Sequence, residues 1–241
     1  MTVKLIEHPR QNRQRLVHGL TDDFYAYSSG QLWTSVLTDS GSAAAGDAAG
    51  GVLDVIPSDG TVADNDEAYV RTTKEVFKIA NQKTIIGEAR VAWTEANTDD
   101  ANVLVGFIDA IAANSLQDNG AGPPASYSGA VFFKADGDTV WSVEVSDGAT
   151  QWTAQLTAAN SLDGVAKSCG AGTFQELRIE IVPYSSTKAD VSFWIDGVLV
   201  YKKKDATYAS ATEMQFGFGI KNGGANNENL KVDYADAWQL R

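Results

Sequence analysis

Hydrophobic and polar residues alternate with a period of two along most of the chain after residue 20. In "GEARVAW" the apolar Ala89, Val91 and Trp93 alternate with Glu88, Arg90 and Ala92. "ELRIEIV" sets Leu177, Ile179 and Ile181 against Arg178 and Glu180, and "MQFGFGI" sets Phe216, Phe218 and Ile220 against Gly217 and Gly219. "NLKVDYADAW" places Leu230, Val232 and Tyr234 on one face. Successive side chains of a strand point to opposite sides, so this period predicts strands with one buried face. The runs "VLVGFI", "AVFFK", "TVWSVEV" and "TQWTAQL" have the length and residue types of further strands. Clusters of Gly, Asn, Asp and Ser between them supply turn chemistry. No amphipathic helical repeat competes, although residues 109–117, "DAIAANSLQ", are compatible with one short helix. A dozen short strands predict an all-β, two-sheet antiparallel sandwich.

Residues 189–205, "ADVSFWIDGVLVYKKKD", read as a hairpin. Val191, Phe193 and Ile195 point one way, and Ser192, Trp194 and Asp196 the other. Asp196 and Gly197 tolerate the positive φ that a two-residue type I′ turn requires. Lys202 to Lys204 form a charged edge that opposes strand-to-strand aggregation. Three stretches read as long loops: "DSGSAAAGDAAGG" (39–51), "NSLQDNGAGPPASYSG" (114–129) and "NGGANNEN" (222–229). Loops of this length are functional or contact surfaces, and the first reads as a surface excursion.

A length of 241 residues fits one large sandwich. The 31 acidic and 19 basic residues give a net charge of -12, which opposes a nucleic-acid-binding body. Charge is unevenly spread. Lys4, Arg10, Arg13 and Arg15 against Glu7 make residues 1–20 a basic N-terminal arm ahead of a strongly acidic body. The expected organisation is this arm, read as a docking segment for a partner surface, followed by a single domain over residues 21–241. Cys169 is the sole cysteine, so no internal disulfide forms and folding does not require an oxidising compartment. No apolar run has the form of a secretory signal or a membrane span, so a soluble protein made in the cytoplasm is expected.

Candidate chemistry is sparse. Both histidines, His8 and His18, lie in the arm, so the body cannot form a Ser-His-Asp site from its own residues. No spacing suggests zinc, a P-loop or a dinucleotide fingerprint. Candidate oxygens for calcium occur at 64–67, 98–100 and 136–138, but none follows the spacing of a calcium loop. No metal or other cofactor is expected.

The order "FQELRIEIV", "ADVSFWIDGVLVY", "MQFGFGIKNGGANNENLKVDYADAWQLR" resembles the closing half of the concanavalin A-like lectin and glucanase jelly roll, a superfamily that includes laminin G-like modules. The carrying elements are the hairpin from Phe193 to Val200 and the last strand from Asp233 to Trp238. The resemblance implies a jelly roll over roughly residues 21–241. Glucanases of this superfamily carry their carboxylates on one strand as "ExDxE". The near match here, "ELRIE" from Glu176 to Glu180, has Arg178 in the middle, so no catalytic residue is expected. A glycan-binding member would use exposed aromatic residues, and Trp194, Trp141 and Trp152 are the candidates.

The arm, the acidic body and the Gly- and Ala-rich stretches together resemble the sandwich proteins that decorate tailed-bacteriophage heads. That likeness implies a non-enzymatic virion structural protein, a capsid decoration or cement protein made in the host cytoplasm. Its partners would be the major capsid protein and neighbouring copies of itself, with neither nucleic acid nor membrane involved. The alternative is a lectin-like module that recognises surface glycans.

Overall fold

The computed structural model describes residues 16–95, 97, 99–209 and 212–241. Lys4, Arg10, Arg13 and Arg15 lie outside the described residues. Among the described residues sixteen strands form two antiparallel sheets. The first runs β14 (Val198–Thr207), β13 (Lys188–Ile195), β12 (Gln175–Pro183), β7 (Ile85–Thr94), β16 (Asn229–Leu240), β4 (Leu53–Ser58), β3 (Ser40–Ala45). Its last member, β1 (Val17–Asp22), pairs with the far half of β16, with Val17 opposite Leu240. The second runs β11 (Gln151–Gln155), β10 (Ser142–Asp147), β9 (Ser128–Lys134), β8 (Asn102–Ile108), β15 (Glu213–Lys221), β5 (Glu67–Thr72), β2 (Trp33–Leu37), and β6 (Phe77–Lys78) adds to β15.

The alternating residues meet between the sheets, as the period of two requires. Ala89, Val91 and Trp93 from β7, Leu177, Ile179 and Ile181 from β12, and Phe216, Phe218 and Ile220 from β15 all join one core. Large rings interlock across the gap: Phe132 meets Phe193 edge-on at 5.2 Å, and Trp93 meets Trp141 at 5.3 Å. Each such buried side chain contributes about 1.5–3 kcal/mol of transfer free energy. Asp196 (φ 49°) and Gly197 (φ 75°) close the β13–β14 hairpin with two left-handed residues, as expected of its turn. Lys202 to Lys204 lie on β14, an edge strand of the first sheet.

Four local expectations are corrected. Tyr234 does not follow Leu230 and Val232 into the core, because the register of β16 against β7 shifts between Val232 and Tyr234. The extra residue flips the phase, sending Ala235 and Ala237 inward and Tyr234 outward. Residues 109–117 form no helix; a short 3-10 turn at Asp118–Gly120 stands nearby. The stretch 39–51 is not wholly an excursion, since its small residues build edge strand β3. Finally β1 begins at Val17, so the first sheet takes in residues on both sides of position 20.

The two outer faces differ. On the second sheet, Tyr69, Leu104, Ile108, Val131 and Phe133 are covered by Ile111, Leu116 and Tyr127 of the β8–β9 connection. On the first sheet the outward Glu88, Arg90, Arg178, Trp194 and Tyr234 stay partly exposed.

Candidate functional site

Five connections converge at the end of the sandwich where β9 and β15 finish and β8 and β16 begin. Two buried lysines build this rim. Lys134, fully buried at the end of β9, donates to the carbonyls of Asp99 (2.6 Å) and Ala101 (2.7 Å) and pairs with Glu95 Oε1 (3.1 Å). Glu95 also accepts from Trp93 Nε1, Asp99 N and Ala101 N, so it folds the β7–β8 connection around itself. Lys221, at the end of β15, reaches Asn114 Oδ1 (2.9 Å), the Leu116 carbonyl (3.2 Å), Glu67 Oε2 (3.4 Å) and Asp118. An ammonium offers three donors and no acceptor, so these oxygens surround it much as ligands surround an ion. Asn65 (φ 66°), Asp99 (φ 63°), Asn114 (φ 59°) and Asn119 (φ 57°) take left-handed conformations in the same loops. Residues with that freedom suit tight reversals, and such conformations concentrate at functional sites.

On this base sit Asp100, Asp136, Gly223, Gly224 and Asn226. Asn226 Nδ2 donates to Asp100 Oδ2 at 3.2 Å. A Cβ on Gly223 would stand 1.9 Å from the Asp100 carbonyl oxygen and 2.9 Å from Asp136 Cγ, so only glycine lets the β15–β16 connection pass so close. Partial burial raises the Asp136 carboxyl above its ordinary value, and neighbouring Asp100 and Asp64 add to the rise. Beneath them Glu228 is fully buried, and its Oε2 accepts from Gly223 N at 3.2 Å. The rim thus presents carboxylate and amide oxygens, acceptors suited to a ligand rich in hydroxyl donors.

The outer face of the first sheet carries a second polar group. Tyr234 Oη lies 2.9 Å from Glu88 Oε1 and 2.7 Å from Glu176 Oε2. One phenol proton can serve only one carboxylate at a time, so the other contact is filled when a carboxyl holds a proton. Burial, with Glu176 adding to it, raises the Glu88 carboxyl accordingly. Arg90 pairs with Asp233 and lies 4.7 Å from the Phe174 ring, and Arg178 lies 5.8 Å from that of Trp194.

The three aromatic candidates do not share a surface. Trp141 is fully buried in the core and its indole donates to Gln175 Oε1, so it cannot serve as an exposed platform. Trp152 packs against Tyr201 in a tilted pair at 4.8 Å, joining edge strands β11 and β14 of the two sheets. Trp194 alone faces outward on β13, opposite Arg178. Glu176, Arg178 and Glu180 are outward polar residues of β12, as their alternation predicts. The sequence pointed to 98–100, 136–138 and 222–229 without joining them. It gave no role to Lys134, Lys221 or Glu228, whose single charges in strands or loops carry no distinguishing signal.

No protein-family model and no curated protein sequence matches the chain. Solved structures do. The carbohydrate recognition domain of Emp47p is 12% identical with a TM-score of 0.59, covering 92% of this chain and 96% of that one. Peanut lectin is 12% identical with a TM-score of 0.55, covering 93% and 98%. An endo-1,3-beta-glucanase from Streptomyces sioyaensis is 14% identical with a TM-score of 0.56, covering 93% and 96%. The sequences share little while the arrangement of strands is alike: this chain has the concanavalin A-like lectin and glucanase jelly-roll fold.

Proposed function

We propose that the chain is a non-catalytic, lectin-like module that binds glycans at the rim. The observation that carries this reading is the convergence of Asp100, Asp136 and Asn226 beside Gly223 and Gly224, with Lys134 holding the backbone on both sides of Asp100 from below. Sugar hydroxyls would donate to these fixed acceptors, and glycine backbone gives a pyranose room to approach. The likeness to lectins favours the same reading. Fold alone does not assign function; the residues of the site do.

A hydrolytic role is not proposed. Glycoside hydrolysis needs two carboxyl groups flanking a scissile bond. Glu88 and Glu176 come near that arrangement, but the Tyr234 phenol fills the space between them. The expected shell-decoration role draws on the arm with Lys4, Arg10, Arg13 and Arg15, which lies outside the described residues, and on the acidic body and the Gly- and Ala-rich stretches; the similar structures lend it no support.

The test is a glycan array probed with the native chain, with Asp100→Asn and Asp136→Asn as comparisons. The expected result is a defined set of glycans whose affinity falls by about tenfold or more, some 1.4 kcal/mol, in each variant. An array without hits, or hits indifferent to both substitutions, would sink the assignment.

A further inference from the structure

Gly223, Gly224 and Asn226 lie in a connection with no regular secondary structure of its own. Glu228 ties that connection shut, since its Oε2 accepts the Gly223 N–H. Its side chain is fully buried, and among the described residues its Oε1 receives no hydrogen bond. The charged groups that face it come from neighbouring connections: Asp100 and Glu95 after β7, and Lys134 at the end of β9. Asp136 lies just across Gly223. The single cation among them has no donor to spare. Its three N–H bonds match the Asp99 carbonyl, the Ala101 carbonyl and Glu95. A carboxylate at Glu228 would be a buried charge beside other carboxylates with one oxygen bare, which is strongly unfavourable. A neutral carboxylic acid avoids that cost and still accepts from Gly223.

Resting on the glycan-binding reading of the rim, we propose that Glu228 is a positioning residue, holding Gly223 to Asn226 in their binding arrangement only while its carboxyl is neutral. Consistent with this, burial raises the carboxyl from 4.5 to about 8, Asp100 and Glu95 adding to the rise and the Gly223 hydrogen bond opposing it. The closed loop therefore retains a proton that the open loop releases. Closure is strongest in acid, weakens as pH rises from about 4.5 to about 8, and loses nothing further above that window. Within the window the open-to-closed ratio grows by up to about tenfold per pH unit.

The experiment is hydrogen–deuterium exchange of residues 222–229 in the full chain and in Glu228→Gln, from about pH 5 to about pH 9, corrected for the intrinsic pH dependence of exchange. Gln keeps an acceptor for Gly223 and cannot ionise. The expected result is protection that declines with pH in the native chain and stays level in the variant. A level native profile, or an equal decline in both, overturns the proposal. Asp100→Asn provides a second arm: removing a charge that faces Glu228 should end the native decline at lower pH, and an unchanged end point also counts against it. Affinity for an array-identified glycan should follow loop protection across the same range. Affinity that ignores protection defeats the positioning role. If no glycan binds at any pH, the lectin reading fails, while the exchange profiles still decide whether Glu228 gates the loop.

Discussion

Lys221 and Glu67 are directly opposed on neighbouring strands, with Nζ 3.4 Å from Oε2 and both side chains almost wholly removed from water. Glu67 also accepts from Asn114 N and Tyr69 Oη, and Tyr69 Oη accepts from Leu116 N. The pair therefore fastens the β8–β9 connection over the second sheet. Removing Lys221 leaves the Glu67 carboxylate buried and without a cation, whereas Lys221 also reaches Asp118.

Lys221→Met should cost about 3–5 kcal/mol, the range for breaking a buried pair. Thermal unfolding will show the loss, and limited proteolysis should cut first within residues 109–127. Recovery of much of the stability in Lys221→Met/Glu67→Gln would identify the stranded carboxylate as its cause. Stability unchanged by the single substitution would contradict the account.

Trp141→Ala and Trp194→Ala should behave oppositely. Trp141 fills core volume between Trp93 and Phe132, so its truncation should cost about 3–5 kcal/mol. Trp194→Ala should leave both fold and glycan affinity close to native, because it stands on an outer face away from the rim. Denaturant titration and array-hit affinities check both. Loss of glycan binding in Trp194→Ala would move the site to that face.

Tyr234→Phe removes the phenol shared by Glu88 and Glu176. The Tyr234 hydrogen bond holds Glu88 down against burial, so its carboxyl should titrate higher still in the variant. A raised carboxyl keeps its proton longer in the folded chain than in the unfolded one. Stability should thus fall as pH rises from the ordinary carboxylate range to the raised value, more steeply in the variant. Carbon NMR of the glutamate carboxyls measures the shift, and an unmoved Glu88 would rule out this coupling.

Cys169 should be inert in the native state. Burial pushes its thiol up to about 12, and its Sγ–H donates to the Asp138 carbonyl. Only the thiolate reacts appreciably. A thiol-reactive disulfide reagent near pH 8 should label it at the rate of unfolding, and fast labelling of the folded chain would mean the site opens locally.

The strands were legible in the sequence because burial on one face stamps a period of two on the residues, as in Ala89, Val91 and Trp93. The Asp196–Gly197 turn was legible because its backbone angles restrict residue type. Tyr234 was misplaced because a one-residue bulge inverts a strand's phase without changing composition. Trp141 looked like a candidate platform because alternation does not say which of two faces lies inside. The rim is assembled from residues far apart in the chain, such as Glu95, Lys134 and Glu228. Their meeting is a product of strand order, which no local pattern records.

The pairing of β1 with β16 gives the molecule two unlike poles. β16 leaves the rim at Asn229 and runs twelve residues, about 40 Å at strand rise, before Leu240 meets Val17. Val17 and Arg241 therefore lie side by side at the pole remote from Asp100 and Asn226. A surface or label coupled at Val17 or at Arg241 holds the domain by its base and leaves the acceptor-rich pole pointing outward, so one orientation of display is built into the order of the strands.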